Sequence, residues 1–445
     1  MEKAKQDIIV ALATPPLKSA LALIRCSGDG IFELFNEMFS KKITPIESRK
    51  MVHGRIMDGD KPVDDVMLFC YPAKSSMTGE ESLEITCHGS MLIANEIISL
   101  LISKGARYAS RGEFTSRAFF NGKMNLIEAE AVNDLINATT KESKNLSLMS
   151  LDGKSSDLVR PLKKEIADLL ALIEVNIDYP EYTDIEEANE EKIVTSIDNI
   201  NKNVLSLLTN GRAGKIIKDG VKVAIVGRPN AGKSSLLNAF LDKEKAIVTD
   251  IPGTTRDVVE GDAYLDGITL HLLDTAGIRD NAGDIEKIGI EKSMNAIEES
   301  ELVILVVDAT TGMNEEDKEI ISKIGDKPYI IAMNKSDISS IPEGFVGISA
   351  AKKNISQLIK AIKNKLNIEE KDFNTPSLSN ERQMALLRRI QNYLNDAKKD
   401  CLEQAPIDLV SANLLSAYAS CEELLGENVT LDLTDEIFSR FCVGK

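Results

Sequence analysis

A multidomain fold, part α/β and part all-α, is what three observations predict. The chain has 445 residues, about two to four typical domain lengths, and its 43% hydrophobic content is enough to fill several cores. From Gly220 to about residue 367, short apolar strands alternate with helical periods, the pattern of a parallel sheet with helices on both faces. On either side of that block the period is helical, without strands.

In chain order, residues 1–120 read as a compact α/β domain. Strands such as "ALALIRC" and "SLEITCHG" accompany the helical stretch "MLIANEIISLLISKG", whose apolar positions recur at three and four. Residues 121–215 read as a first helical segment, with Ile193, Ile197, Ile200, Val204 and Leu207 on one face. The acidic stretch "EYTDIEEANEE" at 181–191 reads as a solvated turn. Residues 216–372 form the α/β block, opening on the strand "VKVAIVG". After "DFNTPSLSN", residues 373–445 return to a helical period, with Leu386, Leu387, Ile390 and Leu394 on one stripe. Two helical segments around a complete α/β block suggest an insertion, with the helical halves packing as one domain.

Composition excludes several classes. Against 53 Lys and Arg stand 70 Asp and Glu, a formal net charge of -17, which works against indiscriminate coating of nucleic acid or anionic membrane. An RNA contact would be a local patch or be lent by a partner. The six cysteines form no CxxC pair and the three histidines are scattered, so neither structural zinc nor a disulfide framework is expected. The opening "MEKAKQDIIVALATPP" imitates a signal peptide, but Asp7 interrupts it and Pro15-Pro16 follow at once, so it reads as a strand. "LVILVV" at 302–307 is far too short to span a bilayer. A cytoplasmic protein with no membrane partner is expected.

The chemistry concentrates in the α/β block. "GRPNAGKS", Gly227 to Ser234, fits G-x-x-x-x-G-K-[ST] between a strand and a helix. Backbone amides of Asn230, Ala231, Gly232, Lys233, Ser234 and Ser235 at a helix N-terminus would cradle phosphates, Lys233 would neutralise the β and γ oxygens, and Ser234 would ligate Mg²⁺. "DTAG", Asp274, Thr275, Ala276 and Gly277, ends the strand "ITLHLL", where an acid reaches Mg²⁺ through water and a Gly amide meets the γ-phosphate. "NKSD" follows the strand "PYIIAM" and contributes Asn334, Lys335 and Asp337. Asp337 can accept two hydrogen bonds from guanine N1 and N2, a donor pair adenine lacks, so the ligand is GTP. "ISA" at 348–350, with Ser349, Ala350 and the following Ala351, offers backbone amides to the guanine oxygen.

These four ordered pieces resemble the Ras-like GTPases. The position after D-x-x-G, where Ras-type enzymes carry the water-orienting Gln, is Ile278 here. "TDIPGTTRD" at 249–257, together with Asn230, is similar to the potassium-activated GTPases, in which a monovalent cation replaces the finger arginine. That likeness implies K⁺ ligands at Asn230, Thr249, Ile251 and Thr254, with Thr255 on Mg²⁺, compensating charge at the β–γ bridge. Arg256 and Arg279 are read as switch-loop ion-pair partners.

Outside this block, "ATPPLKSALALIRCSG", "TGEESLEITCHG", "RGEFTSRAFFNGKMNLIEAEAVNDLI" and the terminal "FCVGK" resemble the MnmE (TrmE) family of tRNA-modifying GTPases along the whole chain. The family implies an N-terminal domain that binds formyl- or methylene-tetrahydrofolate and forms a homodimer, and a helical domain carrying an inserted G domain. It also implies a heterotetramer with the flavoenzyme MnmG, together placing a carboxymethylaminomethyl or aminomethyl group on C5 of the tRNA wobble uridine. Folate contacts map onto Arg25, Glu84, Lys123 and Lys445, and the water-orienting group onto Glu286. From the residues alone, Glu286 reads equally as an exposed acid in a helix's first turn, whereas Arg25 and Lys123 read rather as surface charges and Glu84 rather as the solvent face of a strand. The ending "CVGK" departs from prenylation signals because Lys445 is last. Cys442 reads equally as a packed thiol or a nucleophile. Cys87 and His88, adjacent on a strand, should point to opposite faces. The alternative function is a ribosome-assembly GTPase, which predicts a basic RNA-binding appendage; the chain is acidic and has no evident KH-like module.

Overall fold

The structure, a computed structural model, describes residues 7–43, 49–178, 189–242, 259–273 and 294–445. They fall into two compact units: Met1–Asn133 with Glu422–Lys445, and Asp134–Cys421.

The first unit is built on a six-stranded sheet of β1 (Ile9–Leu12), β2 (Leu21–Ser27), β3 (Lys50–Asp58), β4 (Lys61–Tyr71), β5 (Ser82–His88) and β6 (Arg107–Tyr108), in the order β3-β4-β5-β2-β1-β6. Its pairs are antiparallel except β1 with β6. Period-two alternation sorts the faces. Ala22, Ile24 and Cys26 of β2 and Leu83, Ile85 and Cys87 of β5 are buried in one core, where the helix Met91–Ser103 adds Ala94, Ile97, Ile98 and Leu101. Arg25 and Glu84 lie on the other face and are direct cross-strand partners. Cys87 is buried and His88 exposed, as alternation requires. The chain's end belongs to this unit: Val443 forms an antiparallel bridge with Arg111, and Phe438 and Phe441 pack with Phe119 and Leu126.

The second unit carries the sheet of β7 (Val221–Val226), β8 (Val259–Leu265), β9 (Ile268–Leu273), β10 (Leu302–Asp308), β11 (Tyr329–Asn334) and β12 (Val346–Gly347), ordered β12-β11-β10-β7-β9-β8. All pairs are parallel except the β8–β9 hairpin. The central strands are apolar on both faces because helices cover both. Val223, Ile225, Leu272, Ile304 and Val306 face one core, and Ala224, Val226, Leu273, Val303 and Leu305 the other.

The helices Glu190–Asp219 and Glu381–Leu402, one before and one after this sheet in sequence, pack side by side. Asn201 Nδ2 donates to Asn395 Oδ1 at 3.0 Å, and Lys398 pairs with Asp198. Ile193, Ile197, Ile200 and Val204 are buried as their spacing predicts. Leu208 rather than Leu207 continues the stripe, the four-residue step from Val204 keeping it on the buried face. Among the described residues no helix is long and apolar enough to cross a membrane.

Candidate functional site

The phosphate-type loop leaves β7 at Gly227 and ends in the helix Lys233–Leu241. Three residues take left-handed backbone: Gly227 (φ 146), Asn230 (φ 62) and Gly232 (φ 103). Gly227 and Gly232 are required by close approach, because a Cβ at Gly227 would lie 2.3 Å from Val306 O, and one at Gly232 2.0 Å from Asn334 Nδ2. Gly232 caps the helix without any side-chain cap bond, so the first-turn amides face outward with the helix dipole behind them, an arrangement suited to an anion. Lys233 Nζ donates to Gly227 O at 2.7 Å and Arg228 O at 2.9 Å, and burial lowers its pKa below the ordinary lysine value. The side chains of Asn230, Ser234 and Ser235 are exposed, and the Ser234 hydroxyl suits a hard cation.

Asn334 ties this loop to the base-type segment. Its Nδ2 donates to Ala231 O at 2.9 Å, and its Oδ1 accepts the Ala350 amide at 3.0 Å. Asp337 accepts the Ser349 hydroxyl at 2.8 Å and pairs with Lys352 at 3.2 Å. Ser349 and then Lys352 hold its carboxyl below the usual aspartate range, keeping it an acceptor. Lys335, at φ 67, pairs with Asp308 at the end of β10. Asn230, Ala231, Gly232, Lys233, Ser234, Ser235, Asn334, Lys335, Asp337, Ser349, Ala350 and Ala351 thus gather at the carboxyl ends of parallel strands, where α/β sheets place ligands. Thr249, Ile251, Thr254, Thr255, Asp274, Thr275, Ala276, Gly277 and Glu286 lie outside the described residues.

The first unit holds a cavity of about 350 Å³ lined by Arg25, Arg49, Tyr71, Ser75, Ser76, Met77, Thr78, Ser82 and Glu84. Arg25 Nε and Nη2 both donate to Glu84 Oε1, at 3.0 and 2.8 Å, while its Nη1 donates to Gly444 O at 2.9 Å. Tyr71 Oη donates to Glu84 Oε2 at 3.3 Å, leaving that oxygen with acceptor capacity. The Arg25 guanidinium sits 5.8 Å from the Phe114 ring centre, and Arg49 sits 6.0 Å from that of Tyr71. The terminal segment is pinned by the Phe114 amide donating to Lys445 O at 3.2 Å and the Gly112 amide to Cys442 O at 3.3 Å. Burial, then Arg25, lowers the Lys445 pKa.

The structure therefore brings Arg25, Glu84 and the terminal Gly444–Lys445 together. Lys123 instead donates to Lys74 O at 2.9 Å, next to the lining residues Ser75 and Ser76. Cys442 is exposed, whereas Cys26, Cys70 and Cys87 are buried, and burial pushes the Cys70 and Cys87 thiols up to about 11. His88 bonds Asp64 rather than Cys87. Sequence reasoning missed Tyr71, Arg49 and Phe114. Tyr71 was open to detection through alternation, because it shares a strand face with Phe69, the cross-strand partner of Glu84.

Comparison with known proteins extends this geometry. A family model described as "MnmE helical domain" matches residues 126–442, and one described as "GTP-binding protein TrmE N-terminus" matches residues 8–123. A tRNA modification GTPase MnmE of Thermotoga petrophila is 39% identical over 453 residues, covering 99% of this chain and 100% of the relative. Proteins of the same name from Levilactobacillus brevis and Bacillus pumilus are 38% and 37% identical, each covering 99% of this chain and, respectively, 98% and 100% of the relative. Among solved structures, a point variant of Aquifex aeolicus Era bound to GDP·AlF4⁻ has 28% identity and a TM-score of 0.26, covering 39% of this chain and 66% of its own. The FeoB G-domain of Methanococcus jannaschii has 27% identity and a TM-score of 0.24, covering 33% of this chain and 97% of its own. With both family models and relatives spanning the chain end to end, this protein belongs to the MnmE (TrmE) family of GTPases.

Proposed function

We propose that this chain is the GTP-hydrolysing component of a cytoplasmic system that modifies C5 of the tRNA wobble uridine (U34). In this reading it works as a homodimer and, with the flavoenzyme MnmG, as a heterotetramer. The one-carbon unit comes from 5-formyl- or 5,10-methylene-tetrahydrofolate, and the group added is carboxymethylaminomethyl or aminomethyl. One observation carries the reading beyond a plain GTPase: the terminal segment is bonded into the wall of a cavity whose polar centre is the Arg25–Glu84 pair. A pterin offers an amidine edge to a carboxylate such as Glu84, and a glutamate tail favours Arg25, Lys123 and Lys445.

In the second unit, the 230–235 amides and Lys233 receive the phosphates, and Asp337 with the 349–351 segment reads guanine. Ser234 and Thr255 would hold Mg²⁺, and Asn230, Thr249, Ile251 and Thr254 would hold K⁺, cations that would supply charge compensation at the β–γ bridge. Asp274 to Gly277 respond to the γ-phosphate, and Glu286 orients the attacking water. The exposed Asn230 side chain beside an uncapped helix N-terminus supports this assignment.

Nucleoside mass spectrometry of bulk tRNA, with and without the gene, tests the reading. Loss of a C5-aminomethyl-type uridine on deletion, restored by the wild-type chain but not by Lys233→Ala, is expected. An unchanged nucleoside profile would sink the tRNA reading and bring the ribosome-assembly alternative forward.

A further inference from the structure

Arg228 follows the first glycine of the phosphate loop, and its guanidinium is held by three residues. Nε contacts both oxygens of Asp317 at 3.1 Å, while Nη2 donates to Gly312 O at 2.8 Å and Thr311 Oγ1 at 3.2 Å. Asp317 is fully buried, and its carboxylate also accepts the Asn314 amide in the capping box of the helix Glu315–Ile324. A buried carboxylate needs its counter-charge, since removing one member of such a pair leaves the other uncompensated. The segment that grips Arg228 begins at Asp308, which pairs with Lys335 of the base-type segment. The main chain of Arg228 serves the loop directly, its carbonyl accepting Lys233 Nζ.

We infer that Arg228 is a positioning residue for nucleotide binding, a tether through which Asp317 and the Asp308–Gly312 turn set the entry of the phosphate loop. The loop's amides must converge on one anion, and displacements of an ångström in such a cradle carry large penalties. The inference rests on the reading of Gly227–Ser234 as a phosphate loop. Lys233→Ala, which must lose nucleotide under that reading, separates failure of the reading from failure of the inference.

The test is stopped-flow release of fluorescent GDP and GTP from the full-length protein carrying Arg228→Gln or Arg228→Lys. The lysine variant keeps a charge for Asp317 and guards against simple misfolding. Arg228→Gln is expected to speed release of both nucleotides on the order of 10- to 100-fold, and Arg228→Lys by less. The preference for GDP over IDP, set at the base end, should stay at the wild-type ratio in both. Wild-type release rates in both variants, with only a lowered melting temperature, would reduce the pair to a structural ion pair and overturn the inference. Loss of the GDP-over-IDP preference would overturn it too, by showing a general loosening of the site.

Discussion

Gly232→Ala is the substitution whose consequences the structure specifies most closely. Its Cβ would stand 2.0 Å from Asn334 Nδ2, so that amide must retreat by about 1 Å to reach even a short non-bonded contact. The Asn334–Ala231 bond, now 2.9 Å, would then stretch past the hydrogen-bond range of about 3.2 Å. Asn334 is only 4% exposed, so its amide loses a partner that water does not replace, at about 1–3 kcal/mol. Placing alanine at φ 103 adds strain of roughly 1–2 kcal/mol. The sum, about 2–5 kcal/mol, falls on the junction between the phosphate and base segments; expressed wholly in the bound form, its lower figure corresponds to GDP binding weakened by about 30-fold. Gly325→Ala is the control: its φ is 63 but nothing lies within 4 Å of the new Cβ, so it carries backbone strain without the clash. Titration of a fluorescent GDP analogue, with calorimetric melting of both variants, reads the two effects separately. If Gly232→Ala bound GDP within threefold of wild type, the argument that steric exclusion of a side chain holds this junction would be wrong.

The other predictions concern separate parts of the molecule. Glu84→Gln and Arg25→Ala should each weaken binding of 5-formyltetrahydrofolate about 10-fold or more, since each strips a charge from a half-buried bonded pair; isothermal titration with GTP hydrolysis as the control checks this. Truncation after Cys442 removes the Arg25–Gly444 and Phe114–Lys445 bonds and should abolish folate binding while leaving GTP hydrolysis by the second unit intact. Cys442→Ser should retain folate binding, because that side chain is exposed and the hydrogen bond that pins this residue, from the Gly112 amide, goes to its backbone oxygen. His271 Nδ1 donates to Asp262 Oδ1 at 2.7 Å and its Nε2 donates to Asp219 O at 2.8 Å, with Lys222 as its other cross-strand neighbour. The Asp262 bond, against burial, raises its pKa above 6.5. Its stabilisation is therefore fully present below the unfolded-state pKa and lost as pH rises through the folded one. In His271→Gln, melting temperature followed upward from about pH 6 should lose that decline; an unchanged profile would remove His271 as its source.

Local patterns carried a good part of this protein. The strand–loop–helix setting of Gly227–Ser234 was legible because the motif is contiguous: its glycines, lysine and serine lie within one turn, and the flanking strand and helix announce themselves by their periods. "NKSD" and "ISA" were legible for the same reason, each sitting at a strand's end. The helical face of Ile193, Ile197, Ile200 and Val204 followed from spacing alone, but the choice between Leu207 and Leu208, both within the same helical stripe, waited for the packed structure, which buries Leu208.

Long-range pairing was not legible in that way. Glu84 could have faced solvent, as an isolated strand carboxylate usually does, until the antiparallel register of β2 and β5 set it beside Arg25 across 59 residues. Gly444 reaches the same arginine across 419 residues, a contact no period encodes. Arg228 gave no local sign of its tether, because Asp317 sits 89 positions on, in the helix Glu315–Ile324. The sequence by itself determined the nucleotide chemistry and the element types, which depend on neighbours in the chain. Only tertiary structure decided which charges meet, since sheet register and the capture of the chain's end arise from cores buried far apart in sequence.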